Sequence, residues 1–264
     1  MSDWIHALPL GWMALLIFGV TFLIAAIIHW TVQSLAVGDR ARVFKAVSPG
    51  LLPPLGIIFG LLVAFLAAQV WGDLDRAKTA VNREASALRT VVILSDSFPD
   101  AKASLRTLIR QHIQDAQATE WPAMAHRQAT ITIIPAALAQ LMRTTFALPV
   151  EGASQVAAQR EIILALEDAA EARRQRILIS QSEVNFVKWA NLLVQAICTL
   201  IAVGMVHSDN RSASAIAMGL FSTAIAVCIF MIMAHDRPFI GQNAVQPTVL
   251  LQVQPDAEAE STAR

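Results

Sequence analysis

The chain has 264 residues, is 55% hydrophobic, and balances 20 Lys and Arg against 20 Asp and Glu. Zero formal charge removes the basic face on which counterion-driven nucleic-acid binding depends, so no nucleic-acid partner is expected. Two cysteines, Cys198 and Cys228, both inside apolar stretches, exclude a disulfide framework and a cysteine-based metal site.

Four charge-free apolar stretches occupy residues 8–28, 51–71, 189–206 and 213–234. Of the 40 Asp, Glu, Lys and Arg residues, 27 fall between Asp73 and Lys188, and none falls inside the four stretches. A helix needs roughly 20 mostly apolar residues to cross a bilayer, and a central charge costs about 2.5–3.5 kcal/mol on insertion scales. Each stretch meets that length, or nearly does, and avoids that cost. The expected fold class is all-α, with four transmembrane helices in two pairs and a helical cytoplasmic domain inserted between spans two and three. The expected division is 1–72 for spans one and two, 73–186 for the cytoplasmic helical domain, 187–235 for spans three and four, and 236–264 for a partly disordered cytoplasmic tail. The lipid bilayer is the first partner this implies.

The first span has no Lys or Arg before it, and its apolar run is longer than a signal peptide's core, so it reads as a retained helix. Span two is the most patterned. Gly56, Gly60, Ala64 and Ala68 recur every four residues and form a small-residue ridge suited to helix packing. At about 100° per residue, Ile58, Leu62, Phe65 and Gln69 fall on the other face, as candidates for the lining of a pore or for further packing.

No turn signal follows this span. Leu74, Ala77, Val81, Ala85, Leu88 and Val92 recur at steps of three and four, so span two is predicted to continue as one helix to Ser97, where Phe98-Pro99-Asp100 stops it. A helix over 101–118 follows, with Leu105, Leu108, Ile109 and Ile113 inward. Glu120-Trp121-Pro122 reads as a capped turn, and Ile131 to Ile134 as a short, weak strand signal. A helix from Pro135 to about 147 and another over 154–180 complete the domain, the latter burying Val156, Ile162, Ile163, Leu166, Ala170 and Ile177. The run Arg173-Arg174-Gln-Arg176, beside Glu167, Asp168 and Glu171, reads as a solvated face of mixed charge. The tail after Ala244 reads as extended, and residues 256–264 as disordered.

Chemistry finds little support. No two of the six histidines stand three or four residues apart, so no metal site is expected. There is no phosphate loop, no nucleophile-elbow pattern and no carboxylate pair in a plausible pocket. The expectation is a non-enzyme without a cofactor. Nor does any span contain an ionisable residue, which argues against ion-coupled transport and leaves passive conduction open. Cations near the spans number nine on the side of the middle domain and termini against four opposite. That bias predicts a cytoplasmic domain and termini.

Three segments carry a recognisable pattern. SPGLLPPLGIIFGLLVAFLAAQVW, from Ser48 to Trp71, runs directly into a stretch containing Glu84. Glu120-Trp121-Pro122 follows in the domain, and Asp236-Arg-Pro238-Phe239-Ile-Gly241 comes just after span four. Together they resemble the bacterial bestrophin-like family of four-span membrane proteins, a group of unknown function, over about residues 10–250. More distantly they resemble the bestrophins, pentameric anion channels with cytoplasmic termini and a helical cytoplasmic domain between spans two and three. The resemblance implies a homo-oligomer, a pentamer, in the bacterial inner membrane with a permeant anion. It places Ile58 and Leu62 at neck-like positions of span two. It also puts Gln242-Asn243-Ala244-Val245 where bestrophins carry the acidic run that binds calcium, so calcium gating is not carried over. The rival readings are a non-conducting scaffold or signal relay and, last, an ion-driven stator.

Overall fold

A computed structural model describes residues 3–255, and among these the chain is helical with no strand. In chain order the helices are α1 Asp3–His6, α2 Leu10–Leu35, α3 Asp39–Leu94, α4 Pro99–Asp115, α5 Trp121–Ala125, α6 Ala136–Phe146, α7 Ala153–Ser180, α8 Phe186–Val206, α9 Arg211–His235 and α10 Thr248–Leu251. Four stretches are long and apolar enough to cross a membrane: Leu10–Leu35, Gly50–Ser97, Phe186–Val206 and Arg211–His235. The helix ends follow from local chemistry. Asn185 Oδ1 accepts from Lys188 N at 2.9 Å, and Asn210 Oδ1 accepts from Ala213 N at 3.1 Å, which satisfies first-turn donors of α8 and α9. Pro9 and Pro135 stand immediately before α2 and α6, and Pro99 opens α4.

The connection between the first two spans is shorter than expected. Leucine 35 ends α2, Gly38 turns the chain at φ +63°, and α3 begins at Asp39 rather than at residue 51. The segment holding Arg40 and Arg42 is therefore helical rather than a loop. Pro49, Pro53 and Pro54 are absorbed as well, although each lacks a helix N–H. At the other end α3 closes at Leu94 with a single 3₁₀ turn, Ser95–Ser97, just before Pro99.

The chain divides into two units. The first comprises Met1–Gly72, Glu183–Arg237 and Gly241–Asn243, and the second Asp73–Ser182, Pro238–Ile240 and Ala244–Arg264. In the first unit Met13 and Ile17 of α2, Leu66 and Val70 of α3, Leu192, Leu200 and Val203 of α8, and Ile225 and Ala226 of α9 form the core. Small residues stand where these helices meet. A side chain at Gly204 would meet Val32 at 3.6 Å, and Ser214 Oγ bonds His29 Nδ1 at 3.1 Å.

In the second unit the predicted stripe of α3 is buried at Ala77, Val81, Ala85, Leu88 and Val92, with Leu74 partly covered. Leu105, Leu108, Ile109 and Ile113 of α4 are buried as the spacing requires, together with Leu138 and Leu141 of α6. Helix α7 buries Ile162, Leu166 and Ile177 as predicted and partly covers Ile163 and Ala170, with one departure at its start and two cations added to the stripe. Val156 is exposed, and the buried stripe runs through Ala158, Ile162, Leu166, Ala169, Arg173 and Arg176.

Three further expectations are corrected. Glu120-Trp121-Pro122 is not a turn: α4 passes through a π-helical turn, Ala116–Glu120, straight into α5. Pro122 has no N–H for the i−4 carbonyl, and widening the preceding turn relieves that mismatch without ending the helix. Residues 131–133 form bends and 134 has no regular structure, so no strand forms there. The tail is not extended, because Thr248–Leu251 is helical and Leu250 is buried. Residues 256–264, expected to be disordered, lie outside the described residues.

Candidate functional site

The apolar half of α3 carries the most specific pattern of the spans. Its inner side is set by Phe59, Leu62, Val63, Leu66 and Val70, which pack on the core of the first unit, while Gln195 Nε2 donates to Leu55 O at 3.1 Å. Of the four candidate lining residues, Ile58 and Phe65 are exposed, at 53% and 72%, and Leu62 is half-buried against the core. Gln69 is half-buried, and its Oε1 accepts from Lys188 Nζ at 2.5 Å. The small-residue ridge is uncovered among the described residues. Gly56, Gly60, Ala64 and Ala68 are exposed, and a Cβ built at either glycine would meet no atom within 4 Å.

The second constellation is ionic and lies in the second unit. Glu84 stands on the buried stripe of α3 between Val81 and Leu88, and is itself 0% exposed. Arg176 of α7, also 0% exposed, donates from Nε to Glu84 Oε2 at 2.6 Å and from Nη2 to Glu84 Oε1 at 3.2 Å. The same Nη2 donates to Glu120 Oε2 at 2.6 Å. Arg173 donates from Nε to Glu120 Oε1 at 2.7 Å and from Nη2 to Ile133 O at 3.2 Å. His112 of α4 completes the cluster, its Nε2 at 3.1 Å from Glu84 Oε1. An ionised carboxylate only accepts, so Nε2 carries the proton.

Trp121 roofs this network. The Arg176 guanidinium lies 4.5 Å from its ring centroid, and Phe239 meets it edge-on with centroids 6.2 Å apart. Its indole Nε1 donates to Val245 O at 3.0 Å, and Val245 N donates to Pro238 O at 2.8 Å. The electrostatics are those of charges held by their partners. Burial pushes the Glu84 carboxyl upward, but Arg176, with hydrogen bonds from His112 and Arg176, overcomes this and brings it down to about 2. Glu120 is also lowered: burial opposes, while the charges of Arg176 and Arg173 prevail. Arg173, Arg176 and His112 each reach a carboxylate, so the cluster ties α3, α4 and α7 together around Glu84 and Glu120. Among the described residues no group of three or more His, Cys, Asp or Glu could hold a metal ion.

The sequence model of the Bestrophin-like domain family matches residues 19–250. The chain belongs to the bestrophin-like family. No curated protein matches it, and no solved structure does. With the four apolar helices, membership makes this a membrane protein of that family.

The segments that carried the bestrophin-like resemblance fall into place in both units. In the second, Glu84, Glu120, Trp121 and Phe239 all belong to the brace around Arg176, and Pro122 follows in α5. In the first, Asp236 is buried, accepts from Val184 N at 2.7 Å, and lies 3.4 Å from His6 Nε2. Gly241 has φ +88°, and a Cβ there would come within 2.8 Å of the His6 carbonyl oxygen. Trp71 is 44% exposed and joins neither cluster.

Reading Arg173-Arg174-Gln-Arg176 as a uniformly solvated face is corrected. Arg174 pairs with Glu171 at the surface, and Asp168 pairs with Arg83 there, but Arg173 and Arg176 point inward. A signal for this was present. Positions 162, 166, 169, 173 and 176 form one helical stripe, as 81, 84, 85 and 88 do in α3 and 105, 109, 112 and 113 do in α4. Glu84, His112, Arg173 and Arg176 sit in rows whose other members are apolar.

Proposed function

We propose that this bestrophin-like protein is the subunit of a homo-oligomeric membrane pore, a pentamer, walled by the apolar half of α3 and passing a small anion. Four apolar helices of one chain enclose no aqueous path, so conduction requires α3 from several copies around one axis. The observation that carries the reading is the uncovered side of α3. Only 17% of its most apolar stretch is buried within the chain, against 22% for α2, 44% for α8 and 39% for α9, and of the two least covered helices α3 alone carries the small-residue ridge. The ridge of Gly56, Gly60, Ala64 and Ala68 on that side is open to a neighbouring backbone, and small residues favour such close approach in lipid. Ile58 and Phe65 are then the lining candidates, while Leu62 serves mainly to seat α3 on its own core. The membrane is a bacterial inner membrane, and the second unit and both termini are cytoplasmic.

The mass of the full chain in mild detergent tests the assembly. A ring of five copies is expected, and a stable monomer or dimer contradicts the pore. For orientation, a cysteine placed at the exposed Ser97 should react only from the cytoplasmic side. A second reading, a non-conducting signal relay, is favoured by the unbroken course of α3 through 56 residues. Proteoliposomes that pass neither anions nor cations would support it.

A further inference from the structure

One polar contact among the spans is not accounted for by packing. Lys188 lies in the first turn of α8, where a cation has the wrong sign for the helix dipole. It is exposed, and its Nζ donates to Gln69 Oε1 at 2.5 Å. Among the described residues no carboxylate meets this ammonium, so its charge is spent on a neutral amide. An ammonium can only donate, so the amide oxygen must be the atom that faces it. Gln69 Nε2 is therefore turned away from Lys188, and among the described residues nothing accepts from it. Gln69 lies one turn beyond Phe65, on the face that also carries Ile58. The end of that face thus presents an unneutralised positive charge and two amide N–H donors held in one orientation. Both groups serve an anion and neither serves a cation.

We propose that Lys188 and Gln69 form a site for small inorganic anions such as chloride, and that Lys188 sets the charge selectivity of the pore. Lys188 acts twice, as the attracting charge and as the group that fixes the amide flip. The assignment rests on the pore reading above, since a selectivity residue needs a path to act on.

The test is the chloride-to-potassium permeability ratio of the reconstituted full chain under a KCl gradient. Wild type, Lys188→Arg, Lys188→Gln and Lys188→Glu are compared. Wild type should favour chloride, and Lys188→Arg should keep most of that preference. Lys188→Glu should lower the ratio about tenfold, the size expected for reversing one charge a few ångströms from the path, and Lys188→Gln should fall between. The differences should shrink at high salt, because the charge is exposed and screened. If Lys188→Glu passes no current, the decision rests on Lys188→Gln against Lys188→Arg. A ratio unchanged across the series, or a wild type that prefers potassium, overturns the site while leaving the pore intact. A wild type with no current removes the pore reading and the site with it.

Discussion

Replacing Arg176 with methionine isolates what the buried network contributes. Methionine keeps much of the side-chain volume but removes three short donor contacts, two to Glu84 at 2.6 and 3.2 Å and one to Glu120 at 2.6 Å. Glu84, 0% exposed, then keeps only His112 as a partner, and Glu120 keeps only Arg173. Removing one member of a buried ion pair typically costs about 3–5 kcal/mol, because the remaining charge has neither water nor a counterion. For a chain of this size each kcal/mol lowers the melting temperature by about 2–4 °C, so Arg176→Met should melt roughly 6–20 °C below wild type. The assay is thermal unfolding of the detergent-solubilised protein, followed by far-ultraviolet circular dichroism. Arg174→Met is the matched control, since Arg174 pairs with Glu171 at the surface, and it should stay within about 2 °C of wild type. Melting of Arg176→Met within that same margin would refute the claim that these charges brace the second unit.

The pH dependence of the two proteins should have opposite sign. In wild type the Glu84 carboxyl is lowered from 4.5 to about 2, so its stabilisation, roughly 3 kcal/mol, is full above pH 4.5 and disappears as pH falls through about 2. In Arg176→Met burial acts on Glu84 without its main counterion, so that carboxyl rises, and mild acid should narrow the melting deficit. A deficit that widens between pH 7 and pH 5 would contradict this. In the first unit, Gly241→Ala forces both a left-handed φ of +88° and a 2.8 Å approach to the His6 carbonyl, and should cost about 1–3 kcal/mol. Gly152→Ala, with φ +92° but open space around it, should cost less by the same melting assay.

Much of the fold was legible because it depends on local periodicity. The apolar runs announce α2, α8 and α9, and the three- and four-residue spacing after Trp71 carries α3 through to its stop before Pro99. The helices absorb proline at two places, and at the second a capped turn was expected. Asp39 begins α3 despite Pro49, Pro53 and Pro54, and Pro122 widens a turn of the helix. Local rules state what proline costs a helix but not what neighbouring segments return. The network was illegible for a different reason. Glu84 and Arg176 are 92 positions apart, and a carboxylate or guanidinium taken singly belongs in water. Only the pairing makes burial tolerable, and pairing across helices leaves no trace in local composition. The stripes of α3, α4 and α7 did contain Glu84, His112 and Arg176 in phase, and phase outweighs charge in deciding which side of a helix turns inward here.

The most direct test of the pore is chloride flux from liposomes containing the wild-type chain, measured beside Phe65→Ala and Ile58→Ala. Flux well above empty liposomes, changed by both substitutions while melting stays within a few degrees, is the predicted result. Flux equal to that of empty liposomes for chloride and potassium alike would contradict it.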